Sequence, residues 1–338
     1  MKPAAQPIDP AKRTEVIPER TLTHAEASTI LRVFLVLIAV PFVFELGRWT
    51  TGKNLLSDSA RSGMQRLLTW GLQEGNAEVH HGKKSWLFTQ DELHHLLKPR
   101  TGDEPAHPLI STFAEELKKR GIPLVLVAVP QRATLYPEKL RAGNYWDPVR
   151  SNREKARLDA LRASGIEVLD MTDALWKLRE TKQVHFPRDH RWTPDAMKHV
   201  ALQTEKHLRQ KYATLLGTET PLINASVPTL TDAGSLTRKL DPWLSDGLFG
   251  VEQIDALSVD GVQLDDQAPV LLLGGDLMWV YDDPDQGFGG DSHAGFVTHM
   301  TLLMQKPADV DYWPLYDLKR LDGKKLVVLV LPMSQILP

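Results

Sequence analysis

The sequence predicts an α/β domain in three layers, with helices on both faces of a mostly parallel β-sheet. Segments whose apolar residues recur at helical spacing alternate with short apolar runs, as expected when helices connect parallel strands. Two late runs, residues 269–273 and 325–331, are continuously apolar, which is typical of strands covered on both faces. Thr193 and Pro194 together form the start signal of a further helix.

The first helix-strand unit lies at residues 109–129. Leu109, Phe113 and Leu117 recur every four residues and predict a helix that ends in the basic turn 118–120 and at Gly121. The apolar run 123–129 follows at once and predicts a buried strand.

A second unit consists of a predicted helix at 153–163, which Gly165 ends, and a strand at 166–170. The helix that begins at Thr193 is predicted to bury one face, formed by Met197, Val200, Ala201, Leu208 and Tyr212. Residues 215–267 have weak periodicity, and we interpret them as an excursion between two strands of the sheet. The acidic run 282–285 lacks the ligand pattern of a calcium loop and is predicted to be a solvated loop.

Composition excludes some classes of function. The chain has 338 residues and a formal net charge of -3, so it has no basic excess with which to bind a nucleic acid. It contains no cysteine, which rules out disulfides and thiolate metal sites and suits either the cytosol or the periplasm. The pairs at 80–81 and 94–95 are adjacent histidines without a carboxylate at zincin spacing, so neither a metal nor another cofactor is expected.

The N-terminal region suggests attachment to a membrane. Residues 1–29 are Pro-rich and charged and are predicted to be a flexible tail. Residues 30–48 contain an uncharged apolar core at 33–44, which is shorter than the roughly 20 residues of a standard span. Because no Ala-x-Ala-like cleavage site follows, we predict an uncleaved signal anchor flanked by Arg32 and Arg48, with a cleaved signal peptide or a buried helix as alternatives. Residues 49–78 would connect the anchor to a domain at 79–338.

Two segments carry the most specific motifs. Residues 188–193 read Arg-Asp-His-Arg-Trp-Thr, and residues 271–277 read Leu-Leu-Leu-Gly-Gly-Asp-Leu. The first is predicted to enter a helix and the second to leave a strand. In open α/β sheets, reactive groups collect on such loops beyond the carboxyl ends of the strands.

These segments resemble the alginate O-acetyltransferase family, which has an SGNH-hydrolase-like fold. The first is similar to its Asp-x-His-Trp-Thr signature and the second to its strand that ends in Gly-Asp-Ser. Weaker similarities at 82–88, 121–137 and 294–296 extend the resemblance over residues 79–338. The resemblance implies membrane-anchored periplasmic enzymes that transfer acetyl groups to exopolysaccharides and receive them from a membrane-bound acyltransferase. It also implies catalysis by a Ser nucleophile, a His base and an Asp that orients the base.

Two of these three catalytic positions are substituted here. Leu277 stands at the Ser position and has no lone pair with which to attack a carbonyl. Arg191 stands at the His position, and its pKa above about 12 prevents it from acting as a general base. Only Asp189 matches the family's catalytic set.

The chemistry could instead have moved to neighbouring residues. Ser292 could be a displaced nucleophile, with His190 or His293 as its base. The favoured interpretation is that Ser292 and His293 lie in an ordinary Gly- and Asp-rich loop, since sequence neighbours rarely meet at triad distances.

The same segments could bind a ligand without catalysis. Arg191 and Arg132 could bind carboxylates of an acidic polysaccharide, with Trp192 or Trp279 stacking on sugar rings and Asp276 as a further substrate contact. In the alternative interpretation, Asp189 pairs with Arg191 or caps the following helix, and Trp192 belongs to the core.

Three functional hypotheses follow. The first is a catalytically degenerate component of exopolysaccharide O-acetylation, anchored in the inner membrane, which binds an acidic exopolysaccharide or partner proteins such as a membrane-bound acyltransferase. The second is an active O-acetyltransferase or acetylesterase with a relocated Ser. The third is a soluble periplasmic binding module, released by signal cleavage and unrelated to acetylation.

Overall fold

The computed structural model describes residues 75–97, 107–140, 145–218, 224–240, 250–260, 264–286 and 293–336, together with Ser28 and Arg32. The predicted tail, the signal anchor and most of the connector therefore lie outside the described residues. Those from 75 onward belong to one compact unit, Gln65–Pro338. Within the described part of the chain, none of the helices combines the length and the apolar character needed to cross a bilayer.

Helices and strands alternate along the chain, as the periodicity predicts. In order they are β1 (Val79–His81), β2 (Leu87–Thr89), α1 (Gln90–Leu97), α2 (Pro108–Lys119), β3 (Leu124–Val129), α3 (Arg132–Leu135), α4 (Pro137–Leu140), α5 (Asn152–Ala163), β4 (Glu167–Asp170), α6 (Thr172–Leu178), α7 (Pro194–Lys211), β5 (Asn224–Ser226), β6 (Thr229–Asp232), α8 (Ser235–Leu240), β7 (Glu252–Asp255), β8 (Ser258–Asp260), β9 (Val270–Gly274), α9 (Asp276–Trp279), α10 (Phe296–Met304), β10 (Asp309–Tyr312), β11 (Leu326–Pro332) and α11 (Met333–Ile336).

The central sheet has five parallel strands in the order β10-β9-β11-β3-β4. The last strand, β11, lies between β9 and β3, and its Leu329 pairs with Leu273 on one side and Leu126 on the other. From β3 the sheet continues to β4 on one side, and from β9 it continues to β10 on the other side. The order of the connections therefore reverses between β3 and β9, where β11 lies. Ligands of open α/β sheets bind beyond the carboxyl ends of the strands at such a switch point.

Both faces of the sheet are covered, which confirms the predicted mostly parallel α/β architecture. On one face Val125, Val127 and Val129 pack in a cluster with residues of α7 and α10. On the other face the alternating residues Leu124 and Leu126 pack with residues of α2 and α5. Because each strand is buried on both faces, its sequence is continuously apolar instead of alternating.

The caps of the predicted helices also form. The Thr193 side chain accepts a hydrogen bond from the Ala196 amide at the start of α7, with Pro194 in the first turn. Gly121 and Gly165 follow α2 and α5 with φ of +68° and +93°, a left-handed conformation that glycine adopts without strain.

Two loop regions are more ordered than predicted. Residues 215–267 contain two small antiparallel sheets, β5-β8 and β6-β7, as well as α8. In the run 282–285, Asp282 is not a solvated side chain, because it accepts hydrogen bonds from the amides of Gly295, Val297 and Thr298 at the start of α10. The sequence pattern does not contain these contacts, since they join distant segments.

Candidate functional site

A cleft of about 620 Å³ opens at the carboxyl ends of β3, β9 and β11. The β2-α1 segment forms one wall, and the loop before α7 together with α8 forms the other. Its lining residues are Thr89, Asp91, Glu92, Val129, Pro130, Gln131, Arg132, His185, His190, Leu236, Lys239, Asp276, Leu277, Pro332, Ser334 and Gln335. Both motif segments of the sequence contribute to this cleft.

The turn after β9 presents Asp276 and Leu277 to the cleft. Gly274 permits this turn, because a Cβ at that position would lie 2.7 Å from the Met278 Cβ. Leu277 is 8% exposed and lines the cleft, and it stands at the position where the resemblance predicts a serine nucleophile. Asp276, one residue earlier, is exposed.

Asp189 and Arg191 form a buried ion pair. Arg191 Nε donates to Asp189 Oδ1 at 2.6 Å, and Arg191 Nη2 donates to the other carboxylate oxygen. Burial alone would raise the pKa of Asp189, but the hydrogen bonds and charge of Arg191 hold it at about 2. The third guanidinium nitrogen, Nη1, donates to the carbonyl of Gln286. Arg191 is therefore fully engaged, and the pairing with Asp189 that one interpretation of the sequence predicts is present.

His190, and not Arg191, faces the cleft from this loop. Its side chain is 47% exposed, and its Nδ1 lies 2.7 Å from the Ser235 hydroxyl oxygen at the start of α8. The Asp189 carboxylate lies 3.8 Å from the same nitrogen and accepts a hydrogen bond from the Ser235 amide at 2.7 Å. Partial burial lowers the pKa of His190 and outweighs the opposing effect of Asp189, so the ring is neutral at neutral pH.

Arg132 stabilises the loop that carries His190. Its guanidinium is fully buried, binds both carboxylate oxygens of Glu92, and donates through Nη1 to the Asp189 carbonyl at 2.7 Å. The Arg132 charge helps to lower the pKa of Glu92 against the effect of burial, which alone would raise it. The hydrogen bonds that link α3, α1 and the loop before α7 place His190 at the cleft.

These contacts contradict the prediction that Arg132, Arg191 and Trp192 bind a polysaccharide. The guanidinium groups of Arg132 and Arg191 are committed to Glu92 and Asp189, so neither is available for the carboxylate of an external ligand. Trp192 has no exposed surface and packs against Phe296 at 5.9 Å, so it is a core residue and cannot stack on a sugar. These contacts are invisible in the sequence because burial, not residue type, decides them.

Asp276 is exposed and lines the cleft, whereas Trp279 is not among the residues that line it. Trp279 is partly buried and stacks on Tyr312 at the end of β10. Ser292 lies outside the described residues, so its position relative to His190 stays a prediction. His293, with φ of +46°, precedes the turn into α10 and does not line the cleft.

Sequence reasoning missed three side chains of the site. Glu92 and Ser235 carry no motif, and only their contacts with Arg132 and His190 reveal them. The third, His185, borders the cleft, and burial, the largest of several effects, lowers its pKa to about 4. Its Nδ1 lies 3.2 Å from the Arg191 carbonyl. In the described part of the chain, no three His, Asp or Glu side chains converge in a way that could hold a metal ion.

The described site contains a neutral imidazole, an exposed carboxylate and a serine hydroxyl around a cleft with an apolar patch at Leu277. The imidazole could accept a proton, and the polar groups could bind sugar hydroxyls. Leu277 supplies no nucleophile at the position that faces the cleft from β9.

The parallel sheet and the cleft at its switch point define an SGNH-hydrolase-like domain. The family model described as "SGNH hydrolase-like domain, acetyltransferase AlgX" matches residues 79–268, more than half of the chain, and the chain belongs to this family. The match includes Asp189 and Arg191 and ends just before β9, so the position of Leu277 rests on the structure and on the Gly-Asp motif.

Curated relatives carry names from alginate acetylation. The probable alginate O-acetylase AlgJ of Pseudomonas syringae pv. tomato is 27% identical over 223 residues, which cover 65% of this chain and 55% of that protein. The probable alginate O-acetylase AlgJ of Pseudomonas aeruginosa is 28% identical over 142 residues, 41% of this chain and 35% of that protein. The chain thus spans about half or less of the length of these relatives.

Two solved structures share the fold. The O-acetyltransferase domain of Pseudomonas putida AlgJ superposes with a TM-score of 0.57 at 21% identity, over 77% of this chain and 92% of that one. Pseudomonas aeruginosa AlgX gives a TM-score of 0.52 at 16% identity, over 76% of this chain and 64% of that one.

Proposed function

We propose that this protein is a non-catalytic, polysaccharide-binding component of bacterial exopolysaccharide O-acetylation. The observation that carries the proposal concerns two residues: Leu277 lines the cleft without a nucleophilic group, and the buried Arg191 is bound to Asp189 and to the carbonyl of Gln286. A leucine has no hydroxyl with which to form an acyl-enzyme, and an arginine held as a cation cannot act as the base that takes the proton of an attacking hydroxyl.

The proposal extends to the setting of the domain. Residues 30–48 would anchor the chain in the inner membrane with the domain in the periplasm, where it would meet the polysaccharide and a membrane-bound acyltransferase of the same pathway. The support is the apolar segment in the sequence and the family to which the chain belongs.

The test is the hydrolysis of p-nitrophenyl acetate by the purified full chain. We expect the native protein to give no turnover above a heat-denatured sample. The double substitution Leu277→Ser with Arg191→His should restore nucleophile and base beside Asp189 and raise turnover about tenfold or more above that background. Leu277→Ala with Arg191→His is the matched control, since it changes the same positions without supplying a hydroxyl.

Native turnover that exceeds the denatured sample and survives in Leu277→Ala would overturn the non-catalytic proposal. Thermal unfolding of each variant shows whether the loss of the Asp189 ion pair has unfolded the domain.

One contact favours a second candidate, an acetylesterase or acetyltransferase with a displaced nucleophile. Ser235 lies within hydrogen-bond distance of the neutral His190, which could take its proton. Unlike in the usual triad, Asp189 approaches the same ring nitrogen as the serine and does not orient the ring from its opposite side. Native turnover that vanishes in Ser235→Ala but persists in Ser292→Ala would establish this candidate.

A further inference from the structure

An aromatic pair lies beside the cleft, at the carboxyl end of the edge strand β10. The rings of Trp279 and Tyr312 are stacked, with centroids 4.7 Å apart and an angle of 17° between their planes. Trp279 supports the tyrosine ring from one side, yet Tyr312 is 41% exposed. A large tyrosine surface is therefore open to solvent on a rigid support.

Hydrogen bonds fix this ring in place. The Tyr312 hydroxyl donates to Asp283, and the Asp283 carbonyl accepts from the Gln286 amide at 3.0 Å. The carbonyl of Gln286 in turn accepts from Arg191. Hydrogen bonds thus connect the turn that contains Asp283 and Gln286 to the buried Asp189–Arg191 ion pair. Because this turn fixes the Tyr312 ring, the ring would lose little conformational entropy on binding a ligand.

Strand pairing places the backbone of Tyr312 next to the segment that enters the cleft. Tyr312 pairs with Gly274 of β9, two residues before Asp276, which lines the cleft. Partial burial, the hydrogen bond to Asp283 and the negative charges of Asp283 and Asp276 together raise the pKa of the Tyr312 hydroxyl. A chain of sugars in the cleft could therefore extend past Asp276 onto the tyrosine ring.

The charges of this region disfavour a polyanion. Among the described lining residues, the buried Arg132 binds Glu92, and Lys239, whose side chain is half exposed, lies 3.4 Å from the exposed Glu78. Asp91 and Asp276 are exposed carboxylates. Carboxylates accept hydrogen bonds from sugar hydroxyls but repel uronate groups.

We propose that Tyr312, supported by Trp279, and Asp276 form a subsite for an uncharged pyranose ring of a polysaccharide that lies in the cleft. This inference rests on the proposed polysaccharide binding and replaces the acidic ligand expected from the sequence with a neutral one. The apolar face of the sugar packs on the tyrosine ring, and its hydroxyls donate to the Asp276 carboxylate.

The experiment compares two classes of probe on the full chain by isothermal titration calorimetry. Neutral cello- and manno-oligosaccharides are titrated in parallel with oligomannuronate of equal length. We expect a neutral probe to bind more tightly than oligomannuronate, and Tyr312→Ala to weaken that binding about tenfold because the stacking surface is lost. Tyr312→Phe keeps the ring and should change the affinity by less than about twofold.

Two further variants sharpen the test. Tyr316→Ala removes an aromatic side chain that is 91% exposed and four residues away, and it should leave binding unchanged. Asp276→Asn should weaken the neutral probe and strengthen oligomannuronate, since it removes a repulsive charge.

Each outcome separates this inference from the proposed function. Tighter binding of oligomannuronate, equal affinities in Tyr312→Ala and the native chain, or no binding of neutral probes would overturn the subsite. If a neutral oligosaccharide binds equally well without the Tyr312 side chain, the subsite is overturned but polysaccharide binding by the protein is not. Native acetyl-ester turnover would overturn the non-catalytic proposal while leaving a Tyr312-dependent subsite in place.

Discussion

At the scale of single residues, the chemistry of this site depends on which side chains are held in buried ion pairs and which face the cleft. Arg191, at the position where the resemblance predicts a base, pairs with Asp189 and donates a hydrogen bond to the carbonyl of Gln286. Removing one member of such a buried pair typically costs about 3–5 kcal/mol, because the other charge is left uncompensated. Arg191 therefore stabilises the loop, and His190 is the titratable side chain of this loop that faces the cleft.

Glu154 offers a residue-scale test of pH dependence. It is 3% exposed, its Oε1 has no hydrogen-bond partner among the described residues, and burial, reinforced by the charge of Asp170, raises its pKa to about 7. Because the folded-state pKa lies above the ordinary value of 4.5, ionisation destabilises the fold. This cost is absent below about pH 4.5 and fully present above about pH 7.

We expect Glu154→Gln to raise the free energy of unfolding by about 2 kcal/mol at about pH 8 and to change it little at about pH 4.5. Urea unfolding at both pH values measures the difference. Glu115→Gln, at an exposed position of α2, is the control and should have the same small effect at both. An equal effect of Glu154→Gln at the two pH values would show that its carboxyl group is not perturbed.

At the scale of secondary-structure elements, local signals were sufficient for four of the five strands of the central sheet and for its main helices, but not for the edge strand β10. The start of α7, the ends of α2 and α5, and the strands β3, β4, β9 and β11 lie within a residue or two of their predicted bounds. Each of these elements combines a long apolar pattern with a cap or a glycine, and both signals are local. The small sheets between β4 and β9 were not predicted, because their short strands are stabilised by pairing with distant segments.

The cap of α7 has a measurable contribution. Thr193 is fully buried, accepts from the Ala196 amide and donates to the Gln183 carbonyl at 2.6 Å. We expect Thr193→Ala to lower the free energy of unfolding by about 1–2 kcal/mol, since both backbone groups lose their partner. Thr193→Ser keeps the hydroxyl and should lose less than Thr193→Ala in the same urea titration. Equal losses in the two variants would mean that the methyl group, and not the cap, stabilises the helix.

At the scale of the whole molecule, the predicted signal anchor can be tested by finding where the domain is located in the cell. If residues 30–48 remain attached, the full chain should stay in the membrane pellet after alkaline carbonate washing. A C-terminal epitope should be digested by protease in spheroplasts but not in intact cells, because the domain would lie in the periplasm.

A matched variant in which a cleavable signal peptide replaces residues 1–48 should be exported and recovered in the soluble periplasmic fraction. Recovery of the native chain in that fraction, with a shortened N-terminus, would instead establish a cleaved signal peptide. That result would favour the soluble binding module over the anchored component.

The sequence by itself determined the α/β class and the order of the main elements, because these follow from local apolar periodicity and from residue identity. Only the tertiary structure decided which charges are free. Arg132 and Arg191 look alike in the sequence, yet both are neutralised by buried carboxylates, one of them 40 residues away. Likewise, Trp192 is core and Trp279 supports an exposed tyrosine, since burial and long-range pairing depend on the packing of distant segments and not on any local pattern.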